Sequence, residues 1–313
     1  MIFLWIAVFA AALALLIFSS DWFISAAEKI GLYFKIPSFV IGVIIIGIGT
    51  SLPELATSIA SVIRGNSEIV VANAIGSNIT NIFLVMGVGA FVGKKFDLKY
   101  DILRSDVPFL IGSAILISLM VIDRNFSLPE AIICIILLIL YIYTSFKNGN
   151  IDQELEEFEE SHEHKLTVFT WIMLFVSPAL VVIGATWTVN AVIEISQIIG
   201  IGTELIALSA VALGTSLPEV MVTIQAARRG NPEMAVGNVI GSNIFNTLAV
   251  MGIPALFGKL IIPQALASFH IPMFLGATAL LVVITADKKV FRFEGILLLS
   301  FYVFFIGNMY GLI

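Results

Sequence analysis

Charge is scarce in this chain. Only 12% of its 313 residues are Asp, Glu, Lys or Arg, against about 25% in a soluble globular protein. That leaves too little polar surface to wrap a water-soluble domain. Hydrophobic residues make up 59%, and the mean hydropathy is +1.06. Cysteine is nearly absent. Cys134 stands alone in an apolar run, so no intrachain disulfide is available and a packing role is expected. Basic clusters interleaved with aromatics are missing, which excludes nucleic acid as a partner. The alternation of apolar and polar residues that marks a membrane β-barrel is missing too. The opening "MIFLWIAVFAAALALLIF" lacks the basic start and small-residue cleavage pattern of a secretory signal, so it reads as a retained first span.

What is present is a series of apolar runs of roughly 20 residues, the length of a membrane-crossing helix. The expected fold is an all-α integral membrane protein with ten transmembrane helices, near 2–19, 38–63, 69–92, 105–122, 128–146, 167–193, 203–227, 234–257, 267–286 and 293–312. One long polar stretch interrupts them. The chain therefore divides into a five-helix unit at 1–147, an acidic cytoplasmic linker at 148–165, carrying His162 and His164, and a second five-helix unit at 166–313. An outside N-terminus puts Lys29, Lys35, Lys94, Lys95, Lys99, Arg104, Lys147, Lys165, Arg228, Arg229, Lys288, Lys289 and Arg292 on the cytoplasmic side. Only Arg64, Arg124 and Lys259 then face out. This positive-inside bias predicts a cell-membrane protein with both termini outside.

The two halves repeat. "GTSLPELATSIASVIRGNSEIVVANAIGSNITNIFLVMG" at 49–87 aligns without a gap on "GTSLPEVMVTIQAARRGNPEMAVGNVIGSNIFNTLAVMG" at 214–252, with 22 of 39 positions identical at an offset of 165. Five spans per unit is an odd number. The second unit therefore enters the membrane upside down, giving the inverted-topology repeat of many secondary transporters.

Each copy places proline and then a carboxylate inside an apolar run. Pro53 and Pro218 lack an N–H and crowd the carbonyl four residues earlier, so backbone oxygens near Gly49, Thr50, Gly214 and Thr215 are expected to lose partners. Glu54 lies one helical turn from Thr50 and Ser51, and Glu219 stands likewise to Thr215 and Ser216. Asn73, Ser77 and Asn81 form one polar stripe at a spacing of four; Asn238, Ser242 and Asn246 form its copy. Gly76 is expected to admit a neighbouring backbone. All these oxygens are hard ligands suited to alkali and alkaline-earth cations. A carboxylate at mid-bilayer costs about 2.5–3.5 kcal/mol, and no buried Lys or Arg is expected to offset it. Two acids balance one divalent cation or two monovalent ones, and that competition is what an exchanger needs. Asn78 and Asn243 fit either an ion or neighbouring backbone. Gly65, Gly87, Gly230 and Gly252 read as small-residue helix packing, and Arg64–Asn66 and Arg229–Asn231 as turns.

At these residues the chain resembles the sodium/calcium exchangers of the calcium/cation antiporter superfamily, and its plan is similar to that of prokaryotic members. The paired "GTSLPE" and "GSNI.N" blocks carry the likeness. It implies cation sites among spans two, three, seven and eight. Glu54 and Glu219 would be the central calcium ligands, shared with sodium and joined by the carbonyls of Thr50 and Thr215. Ser51, Ser77, Ser216 and Ser242, with the carbonyls of Gly47 and Ala212, would line flanking sodium sites, and Asn81 and Asn246 would hold the middle position. Some members have aspartate where Asn246 stands, so a potassium-dependent subtype is disfavoured. Spans one and six would slide as gates. The expected function is exchange of Na+ for Ca2+ by alternating access, with no enzyme activity and no cofactor beside the transported ions and the lipid bilayer. The alternative is an H+/Ca2+ antiporter using the same carboxylates. The hydroxyls beside each acid favour sodium, because a proton needs no extra oxygens. One chain carries both halves of the site, which suits a monomer and disfavours a channel of identical subunits.

Overall fold

The computed structural model describes residues 2–104, 106–148, 166–198, 203–264, 266–309 and 311, with side chains omitted at 148, 196 and 203–215. The linker, with His162 and His164, lies outside the described residues. The helices are α1 (Ile2–Phe34), α2 (Ser38–Ile63), α3 (Glu68–Gly93), α4 (Asp106–Met120), α5 (Leu128–Asn148), α6 (Val168–Ile198), α7 (Thr203–Arg228), α8 (Pro232–Ala255), α9 (Leu266–Thr285) and α10 (Arg292–Met309). Among the described residues eight helices are long and apolar enough to cross a membrane; α4 is a shorter apolar helix, and α7 runs for 26 residues.

Polarity is arranged for lipid. Phe3, Ile122, Phe169, Phe175, Val283 and Val303 point outward, whereas serines, threonines, asparagines and two glutamates of the repeated blocks are buried. The interior helices are those carrying these blocks. The most apolar window of α8 is 94% buried and that of α3 72%, against 17% for α10. The motif thus lies at the centre of the bundle, where protein rather than water must satisfy it.

The first helix runs much further than the 2–19 span that hydropathy predicts. At 33 residues it is about 50 Å long, well beyond the hydrocarbon core of about 30 Å. Ser19 and Ser20 donate back to the Leu15 and Leu16 carbonyls at 2.6 and 2.7 Å, inside the helix rather than against it. Phe23, Ile24, Ala27 and Ile30 then bury a continuing stripe. Asp21 and Glu28 do not stop the helix because both engage Arg229, at the end of α7, at 2.7 and 3.5 Å. The helix closes where Lys35 turns to φ 55° and the Ile36 N–H reaches the Gly31 carbonyl at 2.8 Å. Helix α1 packs along α6, where Gly184 sits on the backbone of Leu16.

Two short antiparallel ribbons tie the halves together at the bundle ends. Strand β1 (Lys95–Asp97) pairs with β4 (Lys289–Phe291), and β2 (Asn125–Phe126) with β3 (Leu260–Ile261). The glycines divide in function, which corrects part of the sequence reading. Gly87 packs on α10 at Gly295 and Leu299, and Gly252 on Cys134 and Ala131 of α5, as expected. Gly65 and Gly230 are turn residues, as the reading of Arg64–Asn66 and Arg229–Asn231 as turns expects, and not packing glycines: they stand at φ 81° and 73° with no described residue within 4 Å. Each ends its helix with the same pair of bonds: Gly65 N–H to Val62 and Asn66 N–H to Ser61, and Gly230 N–H to Ala227 and Asn231 N–H to Ala226. A left-handed glycine closing a helix in this way needs no Cβ.

Candidate functional site

Wide π turns interrupt the central helices at Ile41–Gly47 in α2, Asn81–Met86 in α3 and Asn246–Val250 in α8. Such turns concentrate at functional sites, because one extra residue per turn re-aims the side chains around it. Asn81 and Asn246 each open one. The helix runs on through Pro53, which has no N–H to offer the Gly49 carbonyl, and an irregular turn that proline did not signal lies before it, at Ile41–Gly47. There Thr50 Oγ1 lies 3.1 Å from the Ile46 carbonyl, and Ser242 Oγ donates to the Gly47 carbonyl at 3.2 Å.

Glu54 and Glu219 are each 1% exposed. Ser51 Oγ lies 3.5 Å from Glu219 Oε1, so the second acid reaches across to the turn that carries the first. Among the described residues, both Glu54 carboxylate oxygens and Oε2 of Glu219 have no hydrogen-bond partner. None of the ion pairs among the described residues involves either acid. Thr50, Ser51, Ser77, Asn81, Ser216, Ser242 and Asn246 of the same two motif copies are all buried, as is Gly47. Among the described residues, Ser216 Oγ and both amide atoms of Asn81 and Asn246 have no hydrogen-bond partner. A buried polar atom left unpaired costs about 1–3 kcal/mol, and the carboxylate, hydroxyl and amide oxygens among these are groups that a cation can satisfy. Among the described residues no three His, Cys, Asp or Glu cluster, so the donor set is carboxylate, hydroxyl, amide and carbonyl. That chemistry fits hard cations rather than transition metals. Thr215 and Ala212 lie on the backbone of α7; their side chains are outside the described residues.

Asn73 and Asn238, the first members of each polar stripe, bond to Ser58 and Thr223, which the sequence reading did not assign. Asn73 Nδ2 donates to Ser58 Oγ at 3.0 Å and to the Glu54 carbonyl at 3.1 Å. At the same offset of 165, Asn238 Nδ2 donates to Thr223 Oγ1 at 2.8 Å and to the Glu219 carbonyl at 3.4 Å. Asn238 Oδ1 also faces the hydroxyls of Thr50, at 3.3 Å, and Ser242, at 3.4 Å. These amides hold the helix pairs at the level of the carboxylates, so their stripe positions serve orientation. The signal was present: a hydroxyl stands four residues after each glutamate, as Ser58 and Thr223. Asn78 donates to Thr247 Oγ1 at 2.8 Å, a contact between the two halves.

Helices α2 and α8 meet through glycine. A methyl at Gly42 would lie 2.6 Å from the Met234 carbonyl oxygen, one at Gly47 2.9 Å from the Ser242 nitrogen, and one at Gly241 would run into Val43. Gly76 is half-buried, and among the described residues none lies within 4 Å of a methyl placed there.

Known proteins agree with this architecture. The family model described as "Sodium/calcium exchanger protein" matches residues 4–147 and 169–311. The chain is 33% identical to an uncharacterized membrane protein of Methanocaldococcus jannaschii over 99% of both chains. It is 32% identical to the sodium/calcium exchanger MaX1 of Methanosarcina acetivorans over 94% of this chain and 95% of that one. Solved structures of the sodium-calcium exchanger NCX_Mj superpose with a TM-score of 0.83 at 31% identity, covering 98% of this chain and 99% of that chain. From its matched halves and full-length relatives, the chain is a member of the sodium/calcium exchanger family.

Proposed function

We propose that the protein is a secondary antiporter that exchanges Na+ for Ca2+ by alternating access at a site near the middle of the bilayer. The observation that carries this reading is the pair of buried carboxylates, Glu54 and Glu219, one from each copy of the motif, set among buried hydroxyls and amides and, among the described residues, paired with no cationic side chain. Calcium is held centrally by Glu54 and Glu219 with the carbonyls of Thr50 and Thr215. Sodium takes the flanks: Ser51, Ser77 and Ser216 on one side or the other, with Ser242 beside the Gly47 carbonyl and the Ala212 carbonyl opposite. Asn81 and Asn246 line the middle. The matching of Asn73 with Asn238, and of Ser58 with Thr223, supports two structurally equivalent units, 1–147 and 166–313, related by an inverted repeat. Ten spans, termini outside the cell and a monomer that works alone complete the reading. The positive-inside count supports that orientation.

The test is calcium-45 uptake into liposomes holding the purified protein. An outward sodium gradient drives uptake at fixed pH, and an outward proton gradient without sodium does not. Uptake driven by the proton gradient alone would assign the exchange to H+ and Ca2+ instead.

A further inference from the structure

The segment after α3, residues 94–104, crosses the end of the bundle where α2 and α8 begin. It is anchored along its length. β1 pairs with β4, the Lys94 carbonyl accepts from Arg292 N–H at 2.9 Å, and Leu98 N–H donates to the Lys288 carbonyl at 2.8 Å. Next come two contacts of another kind. Glu233, in the first turn of α8 and 6% exposed, accepts through Oε1 from the backbone N–H groups of Lys99 and Tyr100, the latter at 2.8 Å. The Tyr100 ring stacks on Phe39, in the first turn of α2, with centroids 4.5 Å apart and planes 11° from parallel. Asp106, also buried, then accepts from the Tyr141 hydroxyl at 2.9 Å. One strap therefore grips both helices just outside the glycine contact of Gly42 with Met234 and of Gly237 with the Phe39 carbonyl.

The equivalent place in the first half is built differently. Glu68 is the counterpart of Glu233, yet it is exposed and no described residue bonds to it. There the loop after α8 is reached by a neutral bond, Ile261 N–H to Ser67 Oγ at 3.2 Å. Where the strap has Tyr100, the sequence has Ala265. Charge-assisted bonds to a buried carboxylate are roughly twice as strong as neutral ones, so the two ends are held unequally.

We propose that Glu233 is a positioning residue: acting through the strap, it latches the α2–α8 end of the bundle shut and sets how often the cation site opens on that side. This rests on the antiporter reading. The latch biases one of two access states without touching an ion, and its strength alters the balance between them.

The test places a reporter thiol inside the closed contact. In a Cys134→Ala background, Val43→Cys, buried against Gly241, is treated with a water-soluble thiol reagent at fixed ion composition. Glu233→Ala raises the labelling rate about tenfold, Glu233→Gln less, and Tyr100→Leu raises it without altering the carboxylate. The mirror change Glu68→Ala leaves it unchanged. Equilibrium calcium-45 binding persists in all four variants, which separates latching from loss of fold. Labelling that stays constant in Glu233→Ala and Tyr100→Leu while calcium still binds overturns the latch. Absence of calcium binding in the unmodified protein instead overturns the antiporter reading.

Discussion

Asn73 and Asn238 hold equivalent partners in the two copies of the motif, a hydroxyl and a glutamate carbonyl. Asn78 and Asn243 do not. Asn78 donates to Thr247, but the residue in Thr247's place in the first copy is Ile82, and both amide atoms of Asn243 lack a partner among the described residues. The helix contacts differ further. Gly237 and Gly241 of α8 are buried against the backbone of α2, while Ala72 and Gly76 of α3 are exposed and half-buried. The π turn at Ile41–Gly47 of α2 has no counterpart in α7, a plain α-helix through the equivalent residues. The copies agree where they orient the carboxylates and diverge where they meet neighbouring helices. Like chemistry on both sides of a cation suits charge balance; unlike packing lets one end be closed while the other is not.

The largest effect tests the agreement. Glu54→Gln and Glu219→Gln each cut sodium-driven calcium uptake by more than about 100-fold, beyond the loss usual for residues that only orient ligands. Normal uptake in either variant breaks the equivalence. Next in size is the glycine contrast. Gly241→Ala forces a methyl onto the Val43 backbone and lowers unfolding free energy by about 3 kcal/mol or more, read as a fall in melting temperature in detergent. Gly76→Ala stays within about 0.5 kcal/mol. Asn238→Ala then weakens calcium binding about tenfold, within the range for orienting partners, and Asn73→Ala less, because Asn238 also faces Thr50 and Ser242. Isothermal titration orders the two. Smallest is Thr247→Val, which strands Asn78 at a cost of about 1 kcal/mol and leaves it as unpaired as Asn243. Melting temperature measures that loss, and Ile82→Thr is expected to shift it the other way.

Much of the site could be read from residues alone because burying charge in an apolar chain is costly enough to stand out. Glu54, Glu219 and the hydroxyls and amides of the same turns follow from one repeated block, and of those whose side chains are described the structure buries all but the half-buried Asn73. Helix limits were less legible. Hydropathy reports lipid contact, so it ended α1 at residue 19, whereas the helix continues to Phe34 on protein contacts and an Arg229 ion pair. Proline marked the neighbourhood, but the π turn at Ile41–Gly47 that precedes it left no such mark in the sequence. Gly65 and Gly241 illustrate the same limit. The letter is identical, yet one supplies a left-handed turn and the other a backbone contact, and only three-dimensional neighbours decide which.

The ribbons have a consequence for how the chain is held together. Each pairs a strand from before residue 148 with one from after residue 166, and α1 lies along α6 in the same crosswise manner. The halves are thus sewn to each other at both rims and along one flank, and covalent continuity through the acidic segment adds little to their cohesion. Fragments 1–147 and 166–313, made as separate polypeptides in one membrane, would find each other and co-purify as a working pair.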